Sequence, residues 1–271
     1  KRIIAAVGGK AKRINVIMPF LYESRQHKRS SRESLDCALA LQELTHMGVD
    51  NIITFDAHDP RVQNAIPLSG FETVRPTYQF VKGLLDRYDD LIIDSDHMMA
   101  ISPDEGATER AVYLANVLNL DMGMFYKRRD YTRVVNGRNP IVAHEFLGSS
   151  VEGKDVIILD DMISSGDSIL DVAKQLKSRN AKRIFAAATF GLFTNGLDKF
   201  DEAYESGLID GVLTTNLIYQ TPELLSRPYY INCDMSKYVA LMIDTLNHDG
   251  SISDILDPSE RIQVCVEEYK K

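Results

Sequence analysis

The chain has 271 residues, of which 44% are hydrophobic and 26% charged, with a formal net charge of −8. This composition excludes disordered and fibrous proteins and suits two compact domains of ~100 to 200 residues each. The acidic balance argues against a general nucleic-acid-binding protein, and no apolar stretch approaches the ~20 residues of a membrane-spanning helix.

Strand-length apolar runs alternate with helix-length periodic segments, which predicts an α/β fold with mostly parallel sheets. In the first part of the chain, strands are expected at 14–18 and 52–55, on either side of a helix at 33–47. The Gly- and Pro-rich stretch at 67–76 indicates a domain boundary. Further strands are predicted at 98–101, 156–159, 184–188 and 212–215, and further helices at 108–118, 168–176 and 237–246.

The number and spacing of the cysteines indicate the redox environment of the protein. Cys37, Cys233 and Cys265 are far apart along the chain and form no metal-binding pair. An odd and sparse set favours a reducing cytoplasm over a disulfide framework. We assign none of the three as a nucleophile.

The segment VIILDDMISSGDSI joins an apolar strand to two carboxylates and a loop of small residues before a helix. Ligands of parallel sheets bind beyond the carboxyl ends of the strands, where Asp160 and Asp161 can accept hydrogen bonds from vicinal sugar hydroxyls. Backbone N–H groups of the following loop can wrap a phosphate. The alternative is an ordinary loop whose Asp or Ser caps the helix. The loop consists of Ser164, Ser165, Gly166, Asp167 and Ser168.

Two segments of the first region narrow the family. Residues 24–33 read SRQHKRSSRE and residues 54–58 read TFDAH. With the acid pair and its loop, they resemble the ribose-phosphate pyrophosphokinases, a family built from two tandem domains of the type I phosphoribosyltransferase fold. The resemblance implies that Arg25 and Gln26 bind ATP and that His58 belongs to the magnesium and ATP site. Alone, the first segment is typical of a solvated basic loop and the histidine of a structural residue.

Two segments of the second region extend the resemblance. SPDEGATERA at 102–111 is similar to a family motif that makes Asp104 a second metal-associated residue, and its carboxylate is a hard ligand suited to Mg²⁺. YKRRDYTR at 126–133 resembles the family's catalytic loop, which implies that Lys127 and Arg129 reach over the transferring phosphoryl group. The alternatives are a helix cap for Asp104 and an exposed basic turn for the cations.

The resemblance implies the whole architecture and reaction. We expect two phosphoribosyltransferase-like domains at 1–76 and 77–271, with mostly parallel sheets flanked by helices, the first lacking its initial strands and the last residues packing back on it. The C1 hydroxyl of ribose 5-phosphate attacks the β-phosphorus of Mg–ATP and AMP leaves. Asp160 and Asp161 hold the ribose hydroxyls and residues 164–168 bind the 5-phosphate. The expected protein is cytoplasmic, has no nucleic-acid or membrane partner, and forms a homo-oligomer of dimers, up to a hexamer.

Several positions depart from the family pattern. The loop reads SSGDS where the family has D-T-x-G-T, so Ser164 replaces an acid and Asp167 stands where a glycine is expected. His27 replaces an Asp and Phe190 a His. A divergent active enzyme and a catalytically silent regulatory or assembly subunit therefore remain alternatives. A nucleobase phosphoribosyltransferase is a third, which the two segments of the first region disfavour.

Overall fold

The structure is a computed structural model that describes residues 1–29, 31–129 and 141–271, with residues 127–129 and 141–144 described by their backbone. It divides into two compact units, Lys1–Pro76 and Thr77–Lys271. Parallel sheets flanked by helices form both units, which confirms the predicted fold class.

The first unit contains a three-stranded parallel sheet in the order β1-β2-β3. Its strands are β1 (Asn15–Met18), β2 (Asn51–Phe55) and β3 (Gly70–Val74). Its helices are α1 (Arg2–Val7), α2 (Asp36–His46) and a 3₁₀ helix at Pro60–Ala65. Leu41 of α2 and Ile52 of β2 are fully buried in the core between helix and sheet.

The stretch at 67–76, predicted to be a boundary, contains the strand β3 instead of a linker alone. Gly70 pairs with Asn51 and Val74 pairs with Phe55, which extends the sheet by one parallel edge strand. Edge strands tolerate Gly and neighbouring Pro because one side of their backbone makes no ladder hydrogen bonds. The Gly and Pro residues therefore mark the two ends of a strand.

The second unit contains a seven-stranded sheet in the order β10-β9-β8-β7-β4-β5-β6, in which only the β5–β6 pair is antiparallel. Its strands are β4 (Met98–Ser102), β5 (Asp121–Arg129), β6 (Ile141–Leu147), β7 (Asp155–Ile163), β8 (Ile184–Gly191), β9 (Gly211–Thr215) and β10 (Tyr230–Cys233). Its helices are α3 (Thr77–Arg87), α4 (Thr108–Leu118), α5 (Asp167–Lys177), α6 (Asp198–Glu205), α7 (Pro222–Leu225), α8 (Ser236–Asn247), α9 (Ser253–Leu256) and α10 (Ser259–Tyr269). Among the described residues, no helix combines the length and apolar character required to cross a bilayer.

Helices cover both faces of this sheet. Side chains of α5 and α6 share one core with one face of the strands, and those of α3, α4 and α10 share a second core with the other face. The last helix, α10, packs against α3 and α4 of the second unit. Tyr269 fastens it there, since its hydroxyl donates to Tyr88 O at 2.9 Å and accepts from Leu91 N at 2.7 Å.

Thiol reactivity is expected to differ among the cysteines. Burial raises the pKa of Cys37 to about 11 and that of Cys233 to about 12, whereas Cys265 is only half-buried. Because the thiolate is the reactive form and must be reached by the reagent, iodoacetamide at pH 8 should modify Cys265 first. Peptide mass spectrometry of the native protein, with a urea-unfolded sample as the control in which all three react, measures this. Modification of Cys233 ahead of Cys265 would contradict the described packing.

Candidate active site

Three carboxylates meet beside the carboxyl end of β4. The strand β7, predicted to end at 159, continues to Ile163, so Asp160 and Asp161 belong to the strand itself. They extend beyond the last residue pair that β7 forms with β4, between Ile158 and Ile101. Asp104 lies in the turn that follows β4. The sheet topology therefore brings together residues that are more than fifty positions apart in the chain.

The electrostatics of this group are unfavourable for three ionised carboxylates. Asp161 is buried with 3% of its surface exposed, and Asp160 is half-buried. Burial, then the charge of Asp161, and more weakly the charge of Asp104, raise the pKa of Asp160 to about 8. A buried carboxylate pair that repels itself is typical of a site that binds a cation or hydrogen-bond donors. The arrangement can thus accept sugar hydroxyls or a hydrated divalent ion.

Asp104 is held by its turn. Its Oδ1 accepts from Gly106 N at 2.9 Å, and its carbonyl oxygen accepts from Ser102 Oγ at 2.6 Å. The helix α4 begins after Ala107, so Asp104 orders the turn and is not the N-cap residue itself. Its second carboxylate oxygen makes no hydrogen bond to the described part of the chain and can accept from a ligand.

The loop between β7 and α5 is shaped by packing against α6. Gly166 is buried with φ +83°, and a Cβ at this position would lie 2.4 Å from the ring of Phe200. A backbone hydrogen bond from Thr194 N to Ser164 O, at 2.9 Å, also joins the loop to the segment that follows β8. The N-cap residue of α5 is Gly166, which has no side chain, and Asp167 N donates to Ser165 Oγ at 3.4 Å. The N–H groups of the first turn point toward the loop, where they can bind an anion.

Asp167, the residue that departs from the family glycine, is neutralised. Lys199 Nζ donates to Asp167 Oδ1 at 2.5 Å, and Ser165 Oγ donates to Asp167 Oδ2 at 2.9 Å. These hydrogen bonds, the larger contribution coming from Lys199 and the smaller from Ser165, hold the pKa of Asp167 below its ordinary value. Lys199 lies in α6 and matched no motif, so the sequence offered no signal for it beyond the unexplained acid at 167.

The residues predicted to bind ATP in the first unit are partly assembled. Arg25 is exposed and Gln26 is half-buried in a turn, where Gln26 N donates to Glu23 O at 2.8 Å. His58 follows β2, and its ring lies 5.3 Å from the ring of His27. The segment at 24–33 and the histidine of TFDAH therefore come together within this unit.

Asp59, which the motifs did not identify, follows His58 and caps the 3₁₀ helix. Its Oδ1 accepts from the backbone N and from Nε of Arg61, both at 2.9 Å, and its Oδ2 accepts from Nη2 of Arg61 at 2.5 Å. This pairing lowers the pKa of Asp59 to about 2, with a further contribution from His27, whose Nε2 is 3.5 Å away. Nδ1 of His27 is buried and has no hydrogen-bond partner among the described residues. The helix-capping Asp59 thus fixes the segment that carries His58.

Lys127 and Arg129 lie in the strand β5, and their side chains are outside the described residues. Met124 of β5 pairs with Ser102, the last residue of β4. Lys127 therefore lies three residues beyond the point at which β4 ends and the turn of Asp104 begins. The backbone carries the cationic run past the same edge of the sheet as the acid cluster.

Two departures from the family pattern have structural explanations. Phe190, in place of a histidine, is a buried residue of β8 with 2% of its surface exposed. Ala107, in place of a glycine, is 1% exposed and precedes the first residue of α4. Both side chains belong to the core behind the site.

The donor set fits a divalent cation held mainly by its substrate. Within the described ranges, no three His, Cys, Asp or Glu side chains are arranged to hold a metal. Mg²⁺ commonly uses one or two carboxylates, several waters and substrate phosphates instead of a full protein cage. The second oxygen of Asp104 and the mutually repelling Asp160 and Asp161 meet that requirement.

Two family models match the chain. Residues 74–216 match the phosphoribosyl transferase domain, and residues 2–48 match the N-terminal domain of ribose phosphate pyrophosphokinase. The first match covers the acid cluster, the phosphate loop and α6, and the second covers Arg25, Gln26 and His27.

The chain is similar to ribose-phosphate pyrophosphokinases in sequence and to a phosphoribosylpyrophosphate synthetase in structure. The chain is 32% identical over 214 residues to a ribose-phosphate pyrophosphokinase of Mycoplasma genitalium, which covers 78% of this chain and 60% of the relative. It is 30% identical over 247 residues to the Shewanella oneidensis protein of that name, covering 90% of this chain and 73% of the relative. The crystal structure of phosphoribosylpyrophosphate synthetase from Mycobacterium smegmatis matches with a TM-score of 0.76 and 25% identity, over 92% of this chain and 76% of that one. The chain thus spans about three fifths to three quarters of the length of these relatives.

Proposed function

The chain belongs to the ribose-phosphate pyrophosphokinase family, and from that premise we propose that it transfers the diphosphoryl group of ATP to the C1 hydroxyl of ribose 5-phosphate. The C1 oxygen forms a bond to the β-phosphorus of ATP, the bond from that phosphorus to the α–β bridging oxygen breaks, and AMP leaves. The hydroxyl proton is lost in the process. The observation that carries the proposal is the cluster of Asp104, Asp160 and Asp161, of which the last two precede the loop that leads into the N-terminus of α5.

The sugar phosphate is proposed to bind to the second unit. Asp160 and Asp161 accept hydrogen bonds from the vicinal hydroxyls, and the N–H groups at 164–168 bind the 5-phosphate. Gly166 supports this role because its left-handed backbone and its packing against Phe200 fix the course of the loop, which any side chain at this position would change. Such contacts orient C1 for attack, which is the main contribution a protein makes to phosphoryl transfer.

We propose roles in ATP and metal binding for residues of the motifs that resemble the family. In the first unit, Arg25 and Gln26 are proposed to bind the nucleotide and His58 to contribute to the magnesium and ATP site. In the second unit, Asp104 is proposed to be a metal-associated residue. When bound, Mg²⁺ neutralises charge on the phosphates and orients them. His58 is suited to this role because Asp59 and Arg61 hold its segment rigidly.

Lys127 and Arg129 are proposed to stabilise the charge that develops on the transferred group. Replacing Lys127 by alanine should lower kcat at least about 100-fold with little change in KM, because the interaction is made in the transition state. The matched control is Lys182→Ala, since Lys182 is exposed and precedes β8 at the opposite end of the strands. Equal turnover in the two variants would remove Lys127 from catalysis.

The direct test is AMP release from ATP, ribose 5-phosphate and Mg²⁺, with omission of each as a control. Formation of equal amounts of AMP and phosphoribosyl pyrophosphate supports the proposal. If nucleotide binds and no AMP forms, the chain is a silent family member with a regulatory or assembly role. A product that forms only when a nucleobase and phosphoribosyl pyrophosphate are supplied would indicate a phosphoribosyltransferase.

The proposed assembly and location follow from the family. We expect a cytoplasmic homo-oligomer built from dimers, up to a hexamer, whose mass light scattering would measure.

A further inference from the structure

The phosphate loop contains a charge that its proposed function does not explain. Asp167 is the first residue of α5, at the N-terminus that would bind the 5-phosphate. A carboxylate repels a phosphate dianion bound at the same helix N-terminus, so the loop needs a compensating cation. Its cation partner is Lys199, whose Nζ is 2.5 Å from Asp167 Oδ1.

The position of Lys199 is determined by its neighbour in α6. Phe200 is fully buried, and its ring occupies the space beside the missing side chain of Gly166. The ring also contacts Phe193 edge to face at a centroid distance of 5.2 Å. Because α6 is anchored one residue away from Lys199, the lysine stem starts at a constant distance from the loop.

The pair between Lys199 and Asp167 is exposed and easily exchanged. About half of each side chain, 52% for Lys199 and 53% for Asp167, is in contact with solvent. Exposed ion pairs contribute little to stability because water and salt screen them. A phosphate carries more negative charge than a carboxylate, so it competes well for the ammonium group.

We infer that Lys199 is a binding residue for the 5-phosphate of ribose 5-phosphate, and that Asp167 holds its ammonium group at the mouth of the loop until the phosphate arrives. The inference rests on the proposed function and adds to it a residue that matched no motif. It also explains how the loop accepts an acid where the family has glycine. Lys199 offsets that acid and contributes the additional contact.

The test compares KM for ribose 5-phosphate and for ATP in AMP-release assays of the full chain. Lys199→Ala should raise KM for ribose 5-phosphate about tenfold, leaving KM for ATP and kcat nearly unchanged. Lys199→Arg should restore most of the affinity because it keeps the charge. Lys82→Ala is the matched control, since Lys82 pairs with Asp86 at 2.6 Å, is similarly exposed, and belongs to α3 on the opposite face of the sheet.

Asp167→Asn separates substrate binding from a structural role. If the ion pair serves only to stabilise the loop, Asp167→Asn and Lys199→Ala break the same contact and should raise KM equally. If Lys199 binds the phosphate, Asp167→Asn removes repulsion and should lower KM or leave it unchanged. Added to Lys199→Ala, it should recover part of the lost affinity.

The outcomes distinguish this inference from the proposed function. Active wild-type protein with the same KM for ribose 5-phosphate in Lys199→Ala overturns the inference alone. Equal increases in KM for Lys199→Ala and Asp167→Asn overturn it as well. Wild-type protein that releases no AMP overturns the proposed function and the inference together.

Discussion

Replacing Asp160 by asparagine is expected to lower AMP release at least about 100-fold and to raise the free energy of unfolding by about 1 kcal/mol. Activity falls because the amide is a weaker acceptor for the sugar hydroxyls and no longer contributes charge beside Asp104. Stability rises at the pH values where Asp160 is ionised, because the substitution removes a half-buried charge that faces Asp161. Opposite changes in the two properties are typical of a site whose charges are arranged for a ligand.

The gain in stability should depend on pH in a defined direction. The pKa of Asp160 is raised to about 8 in the folded protein, against about 4 in an unfolded chain. Between these values the folded state binds the extra proton, so the contribution of Asp160 to stability falls as pH rises. The advantage of Asp160→Asn should therefore be small near pH 4 and reach its maximum above pH 8.

Urea unfolding of both proteins at pH 5 and at pH 8.5, together with the AMP assay, measures these changes. Asp171→Asn is the control, because Asp171 is an exposed residue of α5 whose nearest cation, Lys174, is 3.5 Å away. It should change neither property. A loss of stability in Asp160→Asn at pH 8.5 would contradict the described repulsion.

Replacing Gly166 by alanine should destabilise the protein by about 3 kcal/mol and abolish ribose 5-phosphate-dependent AMP release. Two costs add: a left-handed backbone at φ +83°, and a Cβ placed 2.4 Å from the buried ring of Phe200. Relief of the contact requires the loop or the ring to move, and either movement displaces the N–H groups that are proposed to bind phosphate.

Gly153→Ala isolates the first of these costs. Gly153 has φ +73°, and no heavy atom lies within 4 Å of the position its Cβ would take. Its replacement should cost about 1 kcal/mol and leave turnover unchanged. Equal losses of stability in the two variants would mean that the contact with Phe200 contributes nothing. Phe200→Leu combined with Gly166→Ala should cost less than the sum of the single changes, because the shorter side chain makes room.

Local sequence was most informative where burial is nearly complete. The strands β7 and β8 are buried over almost their whole length and appear in the sequence as continuous apolar runs, as central strands of parallel sheets do. The strands β3, β5, β6 and β10 were not predicted. The outer strands β3, β6 and β10 have one uncovered edge and no such run, and β5 ends in the charged residues 127–129. The helix α6 was missed because its eight residues bury only Phe200 and Ala203.

The candidate site divides in the same way. Asp160, Asp161 and the loop at 164–168 are contiguous, so one motif contains both the carboxylates and the anion-binding turn. The roles of Arg25, Gln26, His58, Asp104, Lys127 and Arg129 rest on the family resemblance and remain proposals. Asp59 and Lys199 matched no motif. The importance of each depends on an ion pair, with Arg61 and with Asp167, which the residue type alone does not indicate.

The amino-acid sequence by itself determined the α/β class and the residues of the acid pair and phosphate loop, since strand burial and helix entry are local and leave periodic patterns. Only the tertiary structure decided that Asp104 joins Asp160 and Asp161, and that Lys199 neutralises Asp167 across 32 positions of chain. Charge interactions depend on distance in space, and the strand order β8-β7-β4 and the packing of Phe200 against Gly166 set those distances. In the sequence, Asp167 is an unexplained acid in a loop proposed to bind phosphate. In the fold, its charge is balanced by Lys199.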